Sequence, residues 1–285
     1  MERIQHVKIK TLFEMTKFER ILLVLPFALM GAVLAAGGLP TKHQVMFILL
    51  ALASARSGGM AINRFIDREI DALNLRTKDR FIPTGVLDPL EVLVFALISF
   101  ALLAFAAYKL NPLCFKLSPF VILLICIYPY TKRFTSGLHI LLGVILGLSP
   151  FGGWIAVSGR IEFPAIVLSL AVAFWMTGFD IIQDIRDMEF YRTQKLHSIP
   201  AWLGPDKSFW IAKGFAVASL LLFLSLYYIL ELGTAYLSGI LIMGVLQIYQ
   251  YHILSEFTDV WRKTFSVNVA ISSLVFLFTF IDLYT

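Results

Sequence analysis

The chain is short of charge and of cysteine. Asp, Glu, Lys and Arg make up 15% of its 285 residues, against 59% hydrophobic ones, and mean hydropathy is +0.81. Too few polar side chains are present to cover a soluble domain of this size, so a soluble globular fold is excluded. Two cysteines, Cys114 and Cys126, both in or near apolar runs, provide no disulfide framework. The first 20 residues have neither the short apolar core nor the small-residue cleavage site of a signal peptide. They are expected to form an interfacial helix with Ile4, Val7, Leu12, Met15 and Phe18 against lipid, or a cytoplasmic tail. The net charge of +5 does not indicate a nucleic-acid partner, because the basic residues sit in short loops between apolar runs.

What is present is a series of nine apolar segments, at about 21–38, 44–64, 89–108, 112–130, 138–157, 163–183, 209–230, 234–252 and 266–284. Each is close to the roughly 20 residues that cross a bilayer as a helix. The expected fold is therefore all-α, a polytopic bundle of nine transmembrane helices forming one domain over residues 1–285. Of the 24 Lys and Arg, 19 fall in the amino terminus and the even-to-odd loops and 4 in the others; Arg56 lies inside the second segment. That split puts the amino terminus and the 2–3, 4–5, 6–7 and 8–9 loops in the cytoplasm.

Two acidic rows stand at cytoplasmic ends of segments. In Asn63-Arg-Phe-Ile-Asp67-Arg-Glu-Ile-Asp71 the three oxygen-bearing residues are spaced i, i+4, i+8 and share a helix face. In Asp180-Ile-Ile-Gln-Asp184-Ile-Arg-Asp187 the spacing is i, i+4, i+7. Hard oxygens of this kind suit Mg²⁺, which binds through few carboxylates together with waters and substrate phosphates. Two facing rows would repel unless cations lay between them. Basic residues accompany both rows: Arg76, Lys78 and Arg80 follow the first, and Arg186, Arg192 and Lys195 the second. Acids and bases alternating in this way are what a metal–diphosphate complex needs, metals bridging carboxylates to phosphates and Arg and Lys binding the remaining oxygens. Arg56 lies seven residues before Asn63, deeper on the same face, where an arginine is costly and functional by default; it could bind a diphosphate or the carboxylate of an acidic second substrate. Tyr128 and Lys132, at i and i+4 on the fourth segment, could face the same cavity. A cation or metabolite transporter would also place acids in membrane helices, but at the midplane rather than at one face.

Taken in order, these motifs resemble those of the UbiA family of intramembrane prenyltransferases. Asn63-x3-Asp67-x3-Asp71 is similar to the family's first Asp-rich motif, and Ala55-Arg56-Ser57-Gly58-Gly59-Met60-Ala61-Ile62 to its approach. Arg76-Thr-x2-Arg80-x2-Pro83-x-Gly85, Tyr128-x3-Lys132 and Asp180-x6-Asp187 resemble its loop, its Tyr-x3-Lys motif and the start of its second Asp-rich motif. The resemblance covers nearly the whole chain. It departs at Tyr191, where the family commonly has an acid; Asp184 or Glu189 would have to stand in. Lys17-Phe18-Glu19 before Leu25-Pro26-Phe27-Ala28, and Leu196-His197-Ser198-Ile199-Pro200, are closest to the 4-hydroxybenzoate polyprenyltransferase-like branch. The resemblance implies a cytoplasmic polar cap over a lipid-open cavity, in an integral protein of the bacterial inner membrane. It implies Mg²⁺-dependent transfer of a polyprenyl group from an allylic diphosphate to an aromatic acid, 4-hydroxybenzoate or a naphthoate, for quinone biosynthesis. Asn63, Asp67, Asp71, Asp180, Asp184 and Asp187 are then the expected metal ligands; Arg76, Lys78, Arg80, Arg192 and Lys195 the diphosphate contacts; Arg56, Tyr128 and Lys132 further catalytic residues.

Overall fold

The computed structural model describes residues 10–256 and 261–285, and the side chains of all of these except 253–256 and 261–263. A helical stretch over residues 10–16 and a 3₁₀ helix, Phe18–Leu23, lead at a 50° bend into α1 (Leu25–Ala36). The long helices that follow are α2 (Lys42–Ile66), α4 (Pro89–Leu110), α5 (Pro112–Thr131), α6 (Leu138–Ser158), α7 (Phe163–Asp184), α10 (Pro205–Ile229), α11 (Thr234–Glu256) and α12 (Trp261–Asp282). Between them lie the short helices α3 (Arg68–Leu73), α8 (Met188–Thr193) and α9 (Ile199–Leu203). No strand occurs among the described residues.

Local chemistry sets the boundaries. Thr41 and Gln44 form a reciprocal capping box that starts α2, and Asp88 and Glu91 do the same for α4, with Pro89 at its first position. Asn111 caps α5 by accepting from the Cys114 N–H, and its own amide donates to Ile155 O on α6 at 2.8 Å, so one side chain starts a helix and fixes its neighbour.

Sequential long helices pack side by side, and α12 returns to α1. α1 and α6 approach each other closely. A Cβ placed on Gly31 would stand 2.1 Å from Pro150 O, and one on Gly153 2.0 Å from Ala28 O. Small residues thus let two membrane helices touch backbone to backbone, the usual device where lipid gives no hydrophobic drive to pack. The larger core, with Phe27, Met30, Trp175, Phe223, Tyr236 and Ile271, joins α1, α7, α10, α11 and α12; a second, with Ile62, Ile66, Val92, Phe100 and Ile125, joins α2, α4 and α5.

Among the described residues seven helices are long and apolar enough to cross a membrane, eight if the bent amino-terminal pair is one span. The expected nine includes α11, whose mean hydropathy is lowered by Gln247, Gln250 and three tyrosines. Both glutamines are buried in the bundle, while Leu241, Val245 and Ile248 of the same helix are exposed. Of the apolar residues expected against lipid at the amino terminus, Ile4 and Val7 lie outside the described residues. Met15 and Leu12 instead pack on the α2–α4–α5 core, and Phe18 is exposed. The stretch over residues 10–16 rests on protein, with Phe13 edge-on to Phe95 of α4.

Candidate active site

At one end of the bundle the carboxy termini of α2, α5 and α7 meet the amino terminus of α6. α2 ends at Ile66 and α3 restarts at Arg68, with Asp67 at the junction (φ −90°, ψ 2°). The row is nevertheless kept: the Asp67 N–H donates to Asn63 O at 3.0 Å and the Asp71 N–H to Asp67 O at 2.7 Å, so the i→i+4 ladder runs through the break. Asn63, Asp67 and Asp71 all line a cavity of about 120 Å³, with Asn74, Arg76, Thr77, Arg80, Tyr128, Lys132 and Tyr191 among its other walls.

Each acid of the first row has a cation. Lys132 Nζ donates to Asp67 Oδ2 at 2.6 Å, and Asn63 Nδ2 to the same oxygen at 3.2 Å. Arg80 Nη1 donates to Asp71 Oδ2 at 2.6 Å, with Arg64 Nη1 3.8 Å from that atom. Burial pushes the Asp67 carboxyl above the usual carboxylate range, and Lys132 offsets only part of that.

The second row is divided. Beyond Asp184 the backbone tightens into a 3₁₀ turn, Ile185–Asp187, which takes Asp187 off the register of α7. Arg76, from the loop after α3, grips Asp187 with both prongs, Nε to Oδ1 at 2.8 Å and Nη2 to Oδ2 at 2.5 Å. Burial works against the Arg76 charge, but the hydrogen bonds and charge of Asp187 outweigh it and raise the guanidinium pKa. This bidentate pair ties the loop of the first row to the second row. Asp180 and Asp184 face the fully buried His139 of α6, at 2.8 Å from Nδ1 and 3.6 Å from Nε2 respectively.

Several expected residues lie apart from the cavity wall. Lys78 and Lys195 are exposed, and Arg192 is held by Ala201 O at 2.9 Å and by Glu189. Glu189 is exposed on α8, whereas Asp184 is buried one turn from Asp180. Tyr191 itself lines the cavity with Phe190. Arg56 does not line it: its Nη2 donates to Lys17 O at 3.4 Å, and its Nε is buried without a hydrogen-bond partner. Sequence reasoning missed Arg64 and His139. Arg64 adjoins Asn63 and could have been found as a second arginine in an apolar helix; a single His in an apolar run gives no such signal.

Among the described residues no three His, Cys, Asp or Glu side chains are gathered closely enough to cage a metal. The donor set still fits a hard cation. Asp67 Oδ1 is buried and has no hydrogen-bond partner, and Asn63 and Asp71 stand one turn to either side. Mg²⁺ needs only one or two carboxylates when waters and phosphate oxygens complete its shell.

The UbiA prenyltransferase family matches residues 24–276 of the chain. Among relatives, a protoheme IX farnesyltransferase of Archaeoglobus fulgidus is 33% identical over 81% of this chain and 82% of its own length. A 4-hydroxybenzoate octaprenyltransferase of Vibrio cholerae is 32% identical over 87% and 88%. Among solved structures, the apo form of a UbiA homolog from Aeropyrum pernix K1 superposes with a TM-score of 0.84 at 28% identity, covering 93% of this chain and 98% of that one. A UbiA homolog from Archaeoglobus fulgidus, bound to DMAPP and Mg²⁺, superposes with a TM-score of 0.73 at 18% identity, covering 95% and 98%, and shares the fold.

Proposed function

We propose, for a chain that belongs to the UbiA prenyltransferase family and is thus a prenyltransferase, that it moves a polyprenyl group from an allylic polyprenyl diphosphate to an aromatic acid. The acceptor is 4-hydroxybenzoate or a related quinone precursor such as a naphthoate, and the site faces the cytoplasm from a bacterial inner membrane. The observation that carries this reading is the cavity in which Asp67, Asp71 and Asn63 face Arg76, Arg80 and Lys132. The motifs shared with the 4-hydroxybenzoate branch, the Vibrio relative and the uneven loop charge support the acceptor and the orientation.

Asn63, Asp67 and Asp71 would hold Mg²⁺ from the cavity wall, and Asp180, Asp184 and Asp187, which stand behind that wall, would hold it from the end of α7 and the turn after it. When bound, the ion supplies positive charge to the leaving diphosphate. The chain's own cations do the same at fixed positions: Arg76, Arg80 and Lys132 exchange their carboxylate partners for phosphate oxygens. The allylic C–O bond breaks, its electron pair leaving with the diphosphate. The electron-rich ring then forms the new C–C bond and loses a ring proton to regain aromaticity. Tyr128, Phe190 and Tyr191 offer ring faces to the allylic cation, and exclusion of water keeps it from hydrolysis. Arg56, deeper on α2 with an unpartnered Nε, binds the acceptor carboxylate.

Membranes containing the protein, incubated with labelled prenyl diphosphates, Mg²⁺ and a panel of acceptors, should yield prenylated 4-hydroxybenzoate or naphthoate by mass. Product on haem alone would overturn the aromatic-acid reading. In the same assay Arg56→Ala should raise the acceptor KM by about ten-fold or more, a loss of roughly 1.4 kcal/mol. The KM for the prenyl donor should barely change, and Arg56→Lys should recover only part of the loss because an ammonium lacks the two-pronged fork. The reverse pattern would assign Arg56 to the diphosphate.

A further inference from the structure

His139 is the only fully buried histidine among the described residues, and it lies between two acids of the second row. It sits one residue into α6, at the end of the bundle that carries the acidic rows, with its ring directed at α7. Its Nδ1 is 2.8 Å from Asp180 Oδ2, within hydrogen-bond distance. Its Nε2 has no hydrogen-bond partner and is 3.6 Å from Asp184 Oδ2, which is likewise buried and unpartnered. The ring has little freedom to leave this position. Thr177 Oγ1 lies 3.4 Å from the His139 carbonyl, and a Cβ on Gly143, one turn along α6, would stand 2.0 Å from the same Thr177 Oγ1. α6 and α7 are thus pressed together at the level where His139 meets the acids.

Asp180 is only partly buried, and among the described residues no Lys or Arg forms an ion pair with it, in contrast with Asp67, Asp71 and Asp187. Without a partner its carboxylate would be free to rotate. A carboxylate that must receive a divalent ion is more effective when an N–H fixes one oxygen and leaves the other aimed at the ion, the outer-layer role that oriented donors play around metal sites.

We propose that His139 is a positioning residue: its Nδ1–H holds Asp180 in the orientation that receives Mg²⁺–diphosphate. The proposal rests on the reading of the site given above. It predicts a specific pattern of variants. His139→Gln keeps an N–H donor on a side chain of similar reach; His139→Leu keeps the volume and removes the donor.

The purified protein is titrated with Mn²⁺ in the presence of inorganic diphosphate, and bound Mn²⁺ is read by electron paramagnetic resonance. Transfer is measured in parallel as a function of Mg²⁺. The Leu variant should bind Mn²⁺ at least about ten-fold more weakly, need correspondingly more Mg²⁺, and lose kcat with an unchanged acceptor KM. The Gln variant should stay within about three-fold of the parent in all of these. Equal behaviour of the Gln and Leu variants, whether both intact, both impaired or both unfolded, would overturn the assignment and leave His139 as a packing residue. A parent protein whose transfer needs no divalent ion would remove both the reading of the site and this proposal. A parent that needs the ion, with a Leu variant of unaltered affinity, would remove the proposal alone.

Discussion

Asp67 divides its two oxygens between fold and chemistry. Oδ2 takes Lys132 and Asn63; Oδ1 is buried and bare. The two roles separate in a double-variant cycle. Asp67→Ala removes the metal-facing oxygen and also strands Lys132, whose side chain is 12% exposed. Stranding one partner of a largely buried pair costs about 3–5 kcal/mol, reduced here by what water still reaches the ammonium. Asp67→Ala should therefore lower the thermal midpoint and abolish transfer, by a factor of about 100 or more in kcat/KM, while the protein still inserts into membranes. Adding Lys132→Met should restore much of the thermal midpoint and none of the transfer. Thermal shift and turnover of the two variants check this, and full activity of Asp67→Ala at saturating Mg²⁺ would sink the metal role. Asp71→Ala should likewise be inactive, since Asp71 faces the same cavity and orients Arg80. The first row was legible because four-residue spacing survives the helix break. The acids of the second row were named from the same kind of spacing, but their division was not legible, because a 3₁₀ turn after Asp184 resets the register and no spacing rule announces it.

At the scale of elements, the helices follow from their apolar runs and caps, and the segment boundaries read from sequence agree with the structure to within a few residues for most of the long helices. Which faces meet is less visible in sequence, because a membrane helix is apolar all round and periodicity cannot separate its lipid face from its core face. Glycines carry that information instead. Gly152 and Gly153 are neighbours in α6 and identical in sequence terms, yet a Cβ at Gly152 meets nothing within 4 Å, while one at Gly153 would strike Ala28 O of α1. The two should respond to Ala with opposite signs. Gly152→Ala should be neutral or stabilising by up to about 1 kcal/mol, the helix-propensity gain. Gly153→Ala should destabilise by about 1–3 kcal/mol or more, because the clash is with backbone that cannot rotate away. Thermal midpoints and size-exclusion profiles of the purified variants decide it; a Gly153→Ala protein as stable as the parent would mean that α1 and α6 pack more loosely than this geometry.

For the whole molecule the question is how many times the chain crosses. Among the described residues hydropathy admits seven helices, eight with the bent pair, and an even number would leave both ends of the described chain on one side. The packing leads us to expect an odd number. Met15 joins Ile62, Ile66 and Leu87 at the capped end. At the opposite end Asp282 accepts from the Gly233 N–H at 2.6 Å, and the Tyr284 hydroxyl lies against Gly38 in the turn between α1 and α2. The helix that makes the difference is α11. It starts beside Asp282 and reaches Ala212 and the Ile181–Ile182 cluster near the cap through Tyr251. Its glutamines lower its average but turn inward, so the surface it offers to lipid is apolar even though the helix as a whole is not. In a protein with Cys114 and Cys126 replaced, a cysteine at Thr285 should react with a membrane-impermeant maleimide added to intact cells. A cysteine at Lys78, in the basic loop of the cap, should react only after permeabilisation. Labelling of both from outside, or of neither, would require an even number of crossings and would take α11 out of the membrane. Labelling of Lys78→Cys alone would keep the odd number and invert the protein, placing the diphosphate site on the outer face against the loop-charge rule.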